Sequence, residues 1–363
     1  MRFKQVKQTE YRSLRRMRPV RYVLLRACAV ASLTMLQGCY YMQAIGGHMN
    51  VMQNRRPISE ILADPEVSAE LKNRLAMVKE ARRFAIDQLF LPDNDSYGSY
   101  ADLERDYVVW NVFATPEFSL APRQWCFPVA GCVAYRGYFA RDAAESKAES
   151  LERTGYDAAV VGVAAYSTLG RFADPVLNTM MHWSDAQLVA VVFHELAHQV
   201  LYVKGDSRFN ESFATAVADV GIRRWLKKRD EQQALDSYRR SQALQRALME
   251  RVESGKIDLA RLYDSSVEAE TMRREKRLIL DRLSEDIAEL TGQVNANNFG
   301  ILAAPLNNAR LVSVGLYQGW SGAFRNIYDA CAGELRCFYD RSQELAELSH
   351  EERFARMTML NER

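Results

Sequence analysis

Apolar positions change rhythm several times along this 363-residue chain, and each change marks a different kind of element. Ile58, Ile61 and Leu62, then Leu71, Leu75, Val78, Ala81, Phe84, Ala85 and Leu89 recur at steps of three and four. That spacing lines one face of a helix and predicts helical structure over most of residues 58 to 91. Asp64-Pro65 should interrupt it, because a proline disfavours helical backbone in the residue before it. Pro92-Asp93-Asn94-Asp95 should end it. Residues 107 to 169 are instead aromatic, β-branched and punctuated by Gly and Pro. Tyr107 to Phe113, Gly131 to Tyr135 and Ala159 to Val163 read there as short strands.

Ser184-Asp185-Ala186-Gln187 has the form of a capping box and opens a helix with Asp185 at the positive end of its dipole. The apolar pattern carries this helix to about Val203, where Lys204-Gly205-Asp206 should stop it. A second helix is expected from about Phe209. From 222 to 290 the chain is charged and helical, with Leu235, Leu244, Leu248, Leu259, Leu262, Leu278, Leu283, Ile287 and Leu290 along it. With Gly255 as punctuation this reads as a helical hairpin, projecting as a short coiled coil, its charge a solvated face. The fold class is α+β and predominantly helical, with a small N-terminal sheet and this long hairpin as an insertion.

Chemistry enters inside the capped helix. His194-Glu195-Leu196-Ala197-His198 puts two imidazoles one turn apart on one face, where both can bind a single Zn²⁺. Val189 to Phe193 and Leu201 make the helix a buried one, and buried histidines need partners. Glu211, in the first turn of the second helix, is the expected third ligand. Its alternative role is a carboxylate stabilising that helix's dipole. Three protein ligands leave a fourth position for water, and Glu195 would take its proton as a peptide carbonyl is attacked. The expectation is therefore a zincin-like peptidase with one zinc ion, its small sheet flanking the motif helix. A tyrosine would assist the oxyanion: Tyr317 first, Tyr166 second, each also readable as an aromatic with a satisfied hydroxyl. Asp219 would accept the free N–H of a zinc histidine or pair on the surface. His48, His182 and His350 have no spacing that ties them to the motif.

The leading residues change the charge and the compartment. Residues 1–38 hold nine Lys/Arg against one acid, Glu10, and run through Arg12, Arg15, Arg16, Arg18, Arg21 and Arg26 into apolar Ala27 to Leu36. That is a secretory layout, with an apolar run too short to span a bilayer. Leu36-Gln37-Gly38-Cys39 looks like a lipobox, so 1–38 is expected to be a lipoprotein signal peptide and Cys39 the acylated residue. The remainder, 39–363, would be the peptidase domain. Met17 is an alternative start, and an uncleaved amphipathic anchor is the alternative to cleavage. Without the leader's nine bases and one acid, 48 basic and 46 acidic residues become 39 and 45, a net of −6. Nucleic-acid binding thus has no electrostatic support. Cys126 with Cys132, and Cys331 with Cys337, form close pairs and predict two local disulfides in an oxidising compartment. A second zinc site is the rival reading and lacks the spacing for it.

The chain resembles a bacterial family of lipoproteins known as putative aminopeptidases. The likeness rests on Gly47 to Pro57, Trp110 to Ala114, Trp125 to Cys132, Tyr135 to Phe139, Tyr166 to Gly170, His194 to Gln199, Phe209 to Thr215 and Asn307 to Tyr317. It implies a gluzincin-type zinc peptidase with His194, His198 and Glu211 as ligands and Glu195 as catalyst. The Gly-x-Met-Glu-Asn block with which large aminopeptidases hold the substrate amine is absent, leaving Glu117 or Asp174 as candidates for that role. Because Tyr40 rather than Asp follows Cys39, resemblance to Gram-negative lipoproteins implies the outer membrane, facing the periplasm. A peptide or protein substrate is expected, with a protein partner conceivable on the 222–290 hairpin. Other readings are an endopeptidase, an envelope protease that doubles as a chaperone, and a non-catalytic zinc-stabilised scaffold.

Overall fold

A computed structural model describes residues 40–127, 131–292, 302, 305–315 and 319–362. Residues 1–39, among them the expected signal peptide and Cys39, lie outside the described residues, as do residues 128–130 and Tyr317. The chain divides into a unit ending at Asn50 and a larger unit, Val51–Arg363. Helix α1 covers residues 40–53. No helix among the described residues is long and apolar enough to cross a membrane.

The larger unit is mostly helical with small sheets. Short α2 (Ile58–Ala63) and long α3 (Ala69–Leu89) flank the expected break at Asp64-Pro65. Ser68 caps α3 by accepting from the Leu71 N–H, and Leu75, Val78, Ala81, Phe84, Ala85 and Leu89 are its buried face. The sheets form where β-branched and aromatic residues cluster. Central β3 (Val109–Pro116) pairs antiparallel with β6 (Tyr135–Tyr138) and β7 (Tyr156–Val163), and α4 (Arg141–Glu152) packs on β3 and β7. β2 (Ser99–Ala101) lies between antiparallel β1 (Arg55–Pro57) and parallel β8 (Val176–Leu177). These two- and three-residue strands are too short to show an alternation in sequence. β4 (Trp125–Phe127) and β5 (Gly131–Val133) form a hairpin joined by the Cys126–Cys132 disulfide.

Helix α5 (Asp185–Ala197) opens on the expected capping box, with both Ser184–Gln187 bonds made. It packs against α3 and against α6 (Ser207–Lys228). Its end differs from the expectation. The helix stops at Ala197, six residues short of Val203, although the apolar pattern continues. Val203 is instead clasped by Asn210, whose side chain accepts from its N–H at 2.7 Å and donates to its carbonyl at 2.8 Å. This early exit frees residues 198–206 to cross back to α6, a connection that a longer helix would have crowded.

The hairpin comprises α7 (Gln232–Tyr263) and α8 (Ala269–Thr291). Gly255 does not break it. α7 runs straight through, and a Cβ at 255 would lie 2.7 Å from Leu283 Cδ2, so glycine is there to let the two helices approach. Leu248, Val252, Leu259, Leu280, Leu283 and Ile287 build a second apolar core with Leu311 and Val314 of α9 (Asn308–Gly315). A buried polar seam holds it to the β3–β7 end. Lys276 donates to the Glu117 carbonyl at 2.8 Å and to Asp157 at 2.7 Å, and Asn308 donates to the Glu117 and Ser119 carbonyls. Helices α10 (Ser321–Ala330), α11 (Leu335–Ala346) and α12 (His350–Asn361) follow, with Cys331–Cys337 bonded between α10 and α11. Both disulfides indicate an extracytoplasmic protein.

Candidate metal centre

The turn from Ala197 to Ser207 folds α6 back onto α5 and brings Glu211 to the two histidines. His194 Nε2 and His198 Nε2 are 3.1 Å apart. Glu211 places one oxygen 3.3 Å from His194 Nε2 and the other 3.6 Å from His198 Nε2. Ligands about 2.0–2.1 Å from a tetrahedral zinc stand about 3.3 Å from one another, so this spacing suits a shared ion. The three donor atoms lie within 4.8 Å of one another, the only such group of three or more among the described residues. His182 stands against Trp183 instead, and neither His48 nor His350 joins the group. Two imidazole nitrogens this close share either a proton or a cation, and the buried His198 Nδ1 has no hydrogen-bond partner among the described residues. Two imidazoles and a carboxylate fit a borderline-soft divalent ion.

Glu211 owes its position to anchors on either side of it. Asp206 caps α6 by accepting from the Phe209 N–H at 3.1 Å and also accepts from Arg353 of α12 at 2.8 Å. That ion pair is nearly sealed from solvent, at 5% and 11% exposure. Arg353 donates further to the Leu348 and Ala346 carbonyls. Ser212 accepts from the Trp320 N–H at 3.0 Å. Phe209 and Phe213 pack on Phe324 and Phe338 of the C-terminal helices. Burial works against a charge at Glu211, yet the two imidazoles outweigh it and hold the carboxyl far below its ordinary range.

Glu195 lies beside the triad. Desolvation pushes its carboxyl up to about 7; the charges of Glu211 and Asp174 add to the rise, while His198 and the Ser167 hydroxyl oppose it. A carboxyl poised there suits proton transfer near neutral pH. Ser167 belongs to a loop closed by Asp174, which accepts from the Thr168 N–H at 2.7 Å and the Thr168 hydroxyl at 2.9 Å. Gly170, at φ +75°, turns this loop against Gln199 at the end of the motif helix.

Several sequence candidates are engaged elsewhere. Asp174 is fully buried and bonded to its own loop, and Glu117 accepts a two-point contact from Arg273 at 2.7 and 3.0 Å. Neither is free to hold a substrate amine. Asp219 pairs with Arg223 at 3.0 Å, one turn along α6, and so takes the surface role rather than the histidine N–H. Tyr166 stands edge-on to Phe139 in the Ser167 loop. Sequence reasoning missed Tyr202, whose ring meets the His198 ring with centroids 6.3 Å apart. Its spacing of four residues from His198 was the available signal. It also missed Arg353, for which no local pattern exists.

No curated protein and no solved structure matches the chain. A family model described as "Putative aminopeptidase" matches residues 39–357, the stretch that contains both histidines, Glu195, Glu211 and the helices that hold them. The chain therefore belongs to the putative aminopeptidase family.

Proposed function

We propose that the protein is a zinc-dependent peptidase with a zincin-like catalytic unit, in which His194, His198 and Glu211 hold one zinc ion. The convergence of these three donors beside the raised carboxyl of Glu195 carries the reading. Zinc, when bound, supplies Lewis acidity that makes water a competent nucleophile at neutral pH. Glu195 takes the proton of the attacking water and returns it to the amine that leaves. Glu211 would offset part of the ion's charge. Family membership supports aminopeptidase action, although the carboxylate that would receive a free amine is neither Glu117 nor Asp174.

Cleavage at Cys39, its acylation and an outer-membrane location facing the periplasm complete the proposal, with two disulfides supporting an oxidising compartment. A protein partner on the helical hairpin belongs to the same reading. The rival, a non-catalytic zinc scaffold, is disfavoured by Glu195, because a structural site needs no base. A peptide-library digest with purified protein, with and without chelator, tests it. Wild type should cleave only with metal, and Glu195→Gln should keep zinc while losing a factor of about 10² to 10⁴ in rate. N-terminally blocked peptides in the same library separate exopeptidase from endopeptidase cleavage. Metal-independent cleavage, or full activity in Glu195→Gln, would rule the mechanism out.

A further inference from the structure

We infer that Tyr202 donates a hydrogen bond to the peptide oxygen that gains charge during hydrolysis, an inference that rests on the peptidase reading of the same site. Tyr202 lies in the crossing between the second and third metal-binding residues, four positions after His198. Its ring stands edge-on to His198, at 6.3 Å between centroids and 72° between planes. The hydroxyl lies within the electrostatic reach of Glu211. The side chain is half-buried, neither sealed in the core nor on the open surface. No hydrogen bond engages its hydroxyl among the described residues, unlike the hydroxyls of Tyr263, Tyr328 and Tyr339, which have partners in the scaffold. Tyr97, which also feels the charge of Glu195, is 1% exposed and therefore out of a substrate's reach.

The step balances with groups already present. The water oxygen bonds to the carbonyl carbon, the π pair moves to the carbonyl oxygen, and Glu195 takes the water's proton. The C–N bond then breaks and that proton goes to the nitrogen. Tyr202 keeps its own proton throughout, and its O–H contact strengthens as charge grows on the oxygen, which is what lowers a barrier.

The test compares wild type, Tyr202→Phe and Tyr202→Leu in the full chain. The readouts are zinc content, peptide kinetics, and affinity for a phosphinic peptide whose tetrahedral phosphorus imitates the attacked carbon. Tyr202→Phe should keep full zinc and a KM close to wild type, while kcat falls by about 10² to 10³. Phosphinic-peptide affinity should fall in parallel, because that contact exists only with the tetrahedral species. If Tyr202 only packs His198, the Phe variant will keep both kcat and inhibitor affinity and only the Leu variant will lose zinc, which overturns the inference. A wild type that takes up zinc yet neither cleaves peptides nor binds the inhibitor overturns the peptidase reading, and the inference with it.

Discussion

Glu211 brings a carboxylate within 3.6 Å of both imidazole nitrogens, so its loss should be felt first in metal affinity. Glu211→Gln keeps the shape and removes the charge. It should loosen zinc by more than the roughly 10- to 100-fold typical of an outer-shell change. Asp219→Asn should leave zinc unchanged, because Asp219 faces Arg223. Competition with a chromophoric chelator measures both, and a zinc loss in the Asp219 variant would place that residue in the metal centre after all. At this scale the sequence was legible where chemistry demands fixed spacing. One helical turn separates His194 from His198 in any helix, and Glu195 comes with them. It was illegible where a carboxylate's partner is remote. Glu117 is engaged by Arg273, 156 residues away, and nothing local distinguishes it from a carboxylate free to hold a ligand.

Between elements, small residues and single ion pairs decide how close the helices come. Gly255→Leu would drive a side chain into Leu283, with an overpacking cost of up to about 3 kcal/mol. The better helix propensity returns roughly 0.8 kcal/mol. Thermal unfolding should show a net loss of about 2 kcal/mol with zinc affinity intact, since the hairpin has its own core. The Glu117–Arg273 contact should show itself through pH. The Arg273 guanidinium beside Glu117 holds its carboxyl below the ordinary range, so the contact contributes stability above that range and loses it as pH falls through the lowered value. The contact is largely exposed, so its contribution is small. The stability gap between wild type and Glu117→Gln should therefore be present at pH 7, narrow as pH falls below the ordinary carboxylate range, and close once pH passes the lowered value. A gap that persists in acid would mean that Glu117 acts by packing alone. Helix starts were readable here, because Ser184 and Gln187 advertise a cap. The end of α5 was not, because Leu201 is buried and Val200 and Val203 pack on the core from a crossing segment much as they would from a helix.

For the molecule as a whole, the C-terminal helices support the candidate metal centre. Arg353→Met strands Asp206 as a buried unpaired charge, which costs about 3 to 5 kcal/mol. It should also loosen the first turn of α6 and weaken zinc binding by about 10- to 100-fold, measured well below the melting temperature. Zinc affinity equal to wild type in the folded variant would show that α6 is held by its aromatic packing instead. Reducing the Cys331–Cys337 bond should lower stability by roughly 2 kcal/mol on loop-closure grounds. That α10 to α12 pack on α6 could not be foreseen from periodicity, which names the buried face of a helix but not its neighbour. The Asp206–Arg353 pair also has a consequence in time. The two residues are 147 positions apart, so while the chain is being made Glu211 exists long before the clamp that aims it. A nascent chain would carry the histidine motif in a form that grips zinc poorly. A chain cut short before Arg353 would keep the histidine motif and Glu211 yet lack the ion pair that fixes the first turn of α6.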